Sequence, residues 1–207
     1  MISDISVLCE EFHIVGLALG ATDGIRIDSC FHGYSDVIRR IPVSASTLFR
    51  CASLTKPITA SVCLGAAFQG ICDLDEDAGR YLGFPLRNPH FPDTAITLRH
   101  LLAHVSGLTD CGNYDEFLRK SYGERPPSFK SFFLNANSGI MNDTWHDNKP
   151  GGKFLYSNLG YGIAATAIEN ASGRHYNELC HAMILDPLVM DAFVSIEEVK
   201  DPDSCAV

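Results

Sequence analysis

Leu48-Phe49-Arg50-Cys51-Ala52-Ser53-Leu54-Thr55-Lys56-Pro57 leads into a stretch in which Leu54, Ile58, Val62, Ala66 and Phe68 recur at helical spacing before Gly70. The pattern predicts a helix over Leu54 to Gln69 with a glycine stop. Ser53 then falls at its start, where unpaired backbone N–H groups and the positive end of the helix dipole favour a developing oxyanion. Lys56 follows three residues on, hence on the same face one turn away. A serine hydroxyl is a poor nucleophile without a neighbouring base or cation, and Lys56 can be that neighbour. Its flanks, Cys51, Ala52, Leu54, Pro57, Ile58 and Ala60, are small or apolar. An amine desolvated among them is expected to lose its charge readily, from a reference pKa of about 10.4. The same residues also fit a serine N-cap beside a surface amine, and this S-x-x-K does not choose between the two by itself.

Working outward, Ile5, Leu8 and Phe12 predict a short amphipathic helix over Ser3 to Phe12. His13 to Gly20 is expected to be a buried strand, with Ala21-Thr22-Asp23-Gly24 as a turn and Ile25 to His32 as the returning strand, which makes a β-hairpin. Downstream, Ile71 to Pro92 is rich in Asp, Gly and Pro and is expected to be loop with short extended pieces. Helices are expected over Thr97 to His104 with Thr97 as N-cap, Tyr114 to Ser121, Ser128 to Asn137, Asn158 to Ala171 stopped by Gly173, and Tyr176 to Leu185 stopped by Asp186-Pro187. Strands come first and helices fill the rest, the order of an α+β protein.

The 207 residues carry 16 Lys and Arg against 25 Asp and Glu, a formal charge of −9. A general nucleic-acid binder would be basic, so that class is excluded. With 46% hydrophobic and 20% charged residues the composition is that of a folded globular chain and not a disordered one. Eight cysteines show no C-x-x-C spacing and read as free buried thiols of a reducing compartment. No signal peptide and no spanning segment are read, so a cytoplasmic location is expected, without membrane association.

The second chemical motif is Tyr156-Ser157-Asn158, the only Y-x-N of the chain, between Pro150-Gly151-Gly152 and Leu159-Gly160-Tyr161-Gly162. With it, the chain resembles the serine β-lactamase and penicillin-binding-protein-like family, in particular its class C branch with D,D-peptidases, esterases and acyltransferases. The likeness runs over about residues 13 to 190. It includes the Ser53 segment, Ile96 to Leu108, Pro150 to Gly162, Ile168-Glu169 through Ser172-Gly173, and Asp186-Pro187-Leu188. It implies an α+β, β-lactamase/transpeptidase-like fold: an antiparallel sheet packed with helices, plus an all-helical subdomain. One domain over 1–207 is expected, with hairpin and nucleophile helix at about 13–70, the helical part with Y-x-N at about 71–175, and a shortened C-terminal part at 176–207.

The resemblance further implies that Ser53 is the acylated nucleophile and Lys56 its activating partner. Tyr156 would be a general base that relays the proton to the leaving group, and Asn158 would bind the substrate's acyl-side amide or hold Lys56 in place. A tyrosine with a reference pKa of about 10 can act as a base only where cationic charge stabilises its phenolate, and Lys56 would supply it. The expected substrate is an ester, thioester or amide of a small metabolite, with a β-lactam as the next candidate, and no cofactor or metal is expected. His100 and His104 have i, i+4 spacing but lack the glutamate of H-E-x-x-H, so packing and turn roles are expected for them. Lys149-Pro150-Gly151-Gly152 precedes Tyr156 and reads as an ordinary loop, not as the family's basic third motif. That motif and the remaining sheet strands lie well beyond Y-x-N in the family and find no counterpart after Asn158, and Val189 stands where the family usually has glycine. The expectation is therefore an incomplete sheet, with an exposed edge open to self-association or to a complementing chain. Weak or absent activity of the isolated chain follows from it, and a split or inactive product is the alternative to an enzyme.

Overall fold

A computed structural model describes residues 5–110 and 144–207, together with residues 114, 118, 119 and 130. The fold is α+β, and the chain divides into two compact units: Met1–Ser53 with Phe193–Val207, and Leu54–Ala192.

The first unit holds helix α1 (Ile5–Glu11) and strands β1 (Gly16–Thr22), β2 (Ile27–Asp36) and β3 (Ile41–Pro42), in the order β1-β2-β3. β1 and β2 pair antiparallel, with Gly16 opposite Gly33, Leu19 opposite Cys30 and Thr22 opposite Ile27. Both strands start later than their apolar patterns predict, for local reasons. His13 is left-handed at φ 53, and the Ile14 N–H returns to Cys9 O at 2.8 Å, so residues 13 and 14 close the end of α1 instead of opening β1. At the turn, Asp23 Oδ1 accepts the Ile25 and Arg26 N–H groups at 2.9 and 2.8 Å, which withdraws both residues from the ladder. Gly33 is obligatory: φ is +71, and a Cβ there would lie 1.9 Å from Val15 O.

The last residues complete this unit. Leu48 pairs in parallel with Cys205, Ala206 N–H donates to Leu48 O at 2.9 Å, and Val207 N–H donates to Ser35 O at 2.9 Å. Among the described residues the sheet has three strands and stays open, as the resemblance implied. β1 is not the buried strand its apolar run suggests: residues 18–22 are exposed because, among the described residues, no further layer covers them. Ile25 and Ile27 are 91% and 81% exposed, and Phe12, Val15 and Phe31 also face solvent.

The second unit is helical. Helix α2 (Lys56–Phe68) follows a 3-10 turn, Ala52–Thr55, and ends at Gly70 (φ 72) as the sequence predicts. Helix α3 (Gly79–Leu82) interrupts the segment read as loop. Asp77 Oδ1 receives the Gly79 N–H at 2.9 Å, Leu82 is buried, and Gly83 closes the turn left-handed. Arg87 pairs with the Asp77 carboxylate and, with that N–H, holds it below the usual carboxylate range. Helix α4 (Leu98–Leu102) has the expected Thr97 cap, whose hydroxyl accepts the His100 N–H while His100 Nδ1 accepts the Thr97 N–H. Helix α5 (Asn158–Ser172) ends at Gly173 (φ 68). Helix α6 (Tyr176–Cys180) widens into a π turn over His181–Leu185. The helices expected over Tyr114 to Ser121 and Ser128 to Asn137 lie largely outside the described residues.

The core of this unit surrounds α5, whose Leu159, Ile163, Ala167 and Ile168 are buried and which packs against α2, α3, α4 and α6. Cys63, Cys72 and Cys180 sit in the same core as packing residues, and burial pushes the Cys63 thiol up to about 12. Among the described residues no helix is long and apolar enough to cross a membrane.

Val189 is held at φ 52, a conformation in which a β-branched residue is strained. Glycine removes a cost of about 1–2 kcal/mol there and adds about 0.5–1 kcal/mol of unfolded-state freedom. Val189→Gly is therefore expected to raise stability by up to about 1.5 kcal/mol, read by urea denaturation. A decrease would show that its side chain makes a compensating contact.

Candidate active site

Three of the four expected residues meet in the second unit. Ser157 is the N-cap of α5, its Oγ accepting the Gly160 N–H at 3.0 Å, and its backbone is extended (φ −145, ψ 118). Neighbours on either side of an extended residue project the same way. Tyr156 and Asn158 therefore leave the chain together, and the Tyr156 hydroxyl donates to Asn158 Oδ1 at 3.3 Å. Lys56, in the first turn of α2, donates from Nζ to the same oxygen at 2.6 Å. Nζ also lies 4.8 Å from the centre of the Tyr156 ring and 5.6 Å from that of Tyr161, within cation–π range. Asn158 Oδ1 is thus the point at which the ammonium and the phenol converge.

Ser53, the fourth residue, is the last residue of the first unit. It is exposed on the 3-10 turn that runs directly into α2, three positions before Lys56. Ala52 before it is left-handed at φ 45, a strained setting for an alanine. The premise about Lys56 needs correction. Cys51, Ala52, Leu54 and Pro57 are exposed, so the apolar flank is not a desolvating wall, and Lys56 is surrounded instead by an amide oxygen and two aromatic faces.

Two further residues hold this cluster, both on the loop after α4. Asp110 accepts Ser157 Oγ–H at 3.2 Å, the Asn158 and Leu159 N–H groups at 3.0 Å each, and Asn158 Nδ2 at 2.7 Å. His104, left-handed at φ 58 and buried, stacks on the Tyr156 ring at 4.6 Å, and its Nδ1 accepts the Ser157 N–H at 3.1 Å. Sequence spacing carries no sign of Asp110, which lies 48 residues from Asn158, and it points to His104 only as a turn or packing residue. His100 has a different task, in the α4 cap, so the two histidines serve separate partners.

Burial, then the Lys56 ammonium, hold the His104 imidazole below the usual histidine range, against the pull of Asp110. Protonation would place an N–H against the Ser157 N–H. In acid the unfolded chain therefore binds a proton here that the folded chain resists. The stabilisation is complete above a pH of about 6.5 and is lost as pH falls from that value through the lower, folded-state value. His100, also lowered by burial, acts in the same window. The melting temperature is expected to drop between pH 7.5 and 5.5, and to drop less in His104→Asn. An equal drop in the variant would remove His104 from the account.

The chain is similar to known proteins over nearly its whole length. Penicillin-binding protein 4* of Bacillus subtilis is 30% identical over 192 residues, covering 89% of this chain and 38% of that protein. The octameric penicillin-binding protein homologue from Pyrococcus abyssi is 27% identical with a TM-score of 0.76, covering 99% of this chain and 46% of its own. The D-amino acid amidase from Ochrobactrum anthropi SV3 shares the fold at 24% identity, a TM-score of 0.77 and coverages of 100% and 55%. This chain thus spans less than half the length of the curated relative. The Beta-lactamase family profile runs from residue 5 to residue 202, through both units and the whole Lys56–Tyr156–Asn158 cluster, and the chain belongs to the β-lactamase family of serine hydrolases and penicillin-binding proteins.

Proposed function

We propose that this chain carries the acyl-enzyme machinery of a serine hydrolase or acyltransferase of the class C branch, with Ser53 as nucleophile. The observation that carries the reading is the convergence of Lys56 Nζ and the Tyr156 hydroxyl on Asn158 Oδ1, at 2.6 and 3.3 Å. An ammonium beside a phenol is what a tyrosine base requires. With Tyr156 ionised to a phenolate that the Lys56 ammonium stabilises, Ser53 Oγ attacks the acyl carbonyl and its proton passes to the Tyr156 oxygen, from which it goes to the leaving group as the carbonyl reforms. Water or an alcohol then attacks the acyl-serine and releases Ser53. Asn158 holds Lys56 and offers its carboxamide to the acyl-side amide of a substrate. The substrate class is an ester, thioester or amide of a small metabolite. A reducing, cytoplasmic setting belongs to this reading and is supported by the buried free thiols Cys9, Cys63, Cys72 and Cys180. Cys51 is exposed and Cys30 and Cys205 are half-buried, so the cysteines are not all the buried thiols the sequence suggests.

Incubation with a fluorophosphonate or penicillin-type probe, followed by peptide mapping, is expected to place the adduct on Ser53. An adduct elsewhere, or none on a folded sample, would refute the reading.

The open sheet favours a second reading, in which further strands, from a second copy or a complementing chain, cover Ile27 and Phe31 before the site is competent. Light scattering that shows a monodisperse monomer with full probe reactivity would eliminate it.

A further inference from the structure

We propose that Asp110 is a positioning residue that sets which end of the Asn158 carboxamide meets Lys56 and Tyr156. The inference rests on the acyl-transfer reading of that cluster and adds to it the group that orients its central amide.

A carboxamide has two ends of nearly the same shape and opposite character: the oxygen only accepts hydrogen bonds and the nitrogen only donates them. At Asn158 each end has matched partners. Nδ2 donates to Asp110 Oδ2 at 2.7 Å, while Oδ1 receives Lys56 Nζ at 2.6 Å and the Tyr156 hydroxyl at 3.3 Å. Rotating the amide by half a turn would set its oxygen against a carboxylate and its NH2 against an ammonium, an error at both ends. An ionised carboxylate has no proton to offer, so it tolerates only the nitrogen end.

The anchor is independent of Lys56. Asp110 also accepts the Asn158 and Leu159 backbone N–H groups and the Ser157 hydroxyl, so the first turn of α5 fixes the carboxylate whether or not the lysine is in place. The result is a relay in which a fixed carboxylate polarises an amide and the amide oxygen holds an ammonium, each hydrogen bond strengthening the next. The competing role, a plain helix cap, uses the same backbone contacts but has no need of Nδ2. The Asn158 side chain therefore separates the two.

Two measurements on the full chain test the proposal. The first is hydrogen exchange of the Asn158 carboxamide by side-chain nitrogen NMR. One Nδ2 proton in the wild type is expected to exchange about tenfold or more slowly than in Asp110→Asn, as loss of a charge-assisted hydrogen bond predicts. Should Asp110→Asn fail to fold, Asp110→Ser takes its place, and solvent-rate exchange of both wild-type protons overturns the proposal with no variant needed. The second is a double-mutant cycle on the rate of Ser53 labelling by a fluorophosphonate probe. Asp110→Asn is expected to slow labelling by about 10- to 100-fold with Asn158 present and by less than about twofold in the Asn158→Ala background, while the melting temperature falls equally in both. Equal slowing in the two backgrounds would overturn the positioning role and leave a cap. A wild type that never labels but shows the slow Nδ2 proton would refute the acyl-transfer reading while supporting the orientation by Asp110.

Discussion

Lys56→Ala is expected to slow acylation of Ser53 by at least the roughly 10²- to 10⁴-fold typical of acid–base groups, and Tyr156→Phe by a similar factor. Both changes act on Asn158 Oδ1. The first removes its 2.6 Å donor together with the cation over the Tyr156 and Tyr161 rings, and the second removes its 3.3 Å donor. Phenylalanine keeps the ring that stacks on His104, so Tyr156→Phe should retain the fold and lose only the chemistry. Lys56→Arg should not restore the rate, because a planar guanidinium on a different stem cannot occupy the position of a compact ammonium. Since the two residues would act as one unit, the double variant should be little worse than the worse single one. Stopped-flow labelling with an ester or fluorophosphonate probe gives these rates, and an unimpaired Tyr156→Phe would end its assignment as the base.

Gly107→Ala is expected to destabilise the second unit by about 2–5 kcal/mol. Gly107 sits at φ +84, which costs a residue with a Cβ about 1–2 kcal/mol. Its new methyl would also lie 2.7 Å from Asn88 Nδ2 and 2.8 Å from Asn148 O, an overpacking that costs about 1–3 kcal/mol more. Asn88 has no room to yield. It is fully buried, donates to His146 O and Asn148 O, and accepts the His90 N–H. Gly173→Ala is the control, a left-handed glycine with open space around it, for which only the conformational cost of about 1–2 kcal/mol is expected. Urea unfolding of the two variants compares them, and equal losses would mean that the loop around Gly107 relaxes freely. Because His104 and Asp110 lie on either side of Gly107, the same variant should also lose probe reactivity at Ser53.

What the sequence makes legible follows a physical line. Helix ends announce themselves locally: Gly70, Thr97 and Gly173 act where the chain itself places them, and S-x-x-K and Y-x-N each stand at a helix start. Strand starts were less legible. The apolar pattern of residues 13–15 and 25–26 says nothing about the N–H groups that α1 and Asp23 divert from the ladder. Helix α3 escaped because its loop-like composition hides one buried leucine and a glycine stop. Apolar neighbours around Lys56 suggest burial that the structure does not show, since sequence reports the character of a flank and not whether anything covers it. Asp110 and His104 lay furthest from reach. Their roles exist only once segments about 50 residues apart come together, and the i, i+4 spacing of His100 and His104 says nothing of the Ser157 N–H that His104 accepts.

The return of the C-terminal segment to Leu48 and Ser35 sets an order of events during synthesis. Arg39 Nη1 donates to Asp203 Oδ1, a partner 164 residues later in the chain. At a ribosomal rate of about 5–20 residues per second, that partner emerges on the order of 10 s after the arginine. The hairpin waits for its last partners while the helical unit, continuous from residue 54 to 192, is translated, and that unit has its whole sequence about 1 s before residue 203 is added. Vectorial folding therefore lets the segment that carries Lys56, Tyr156 and Asn158 settle first, and the nascent hairpin is the surface that a ribosome-bound chaperone would meet.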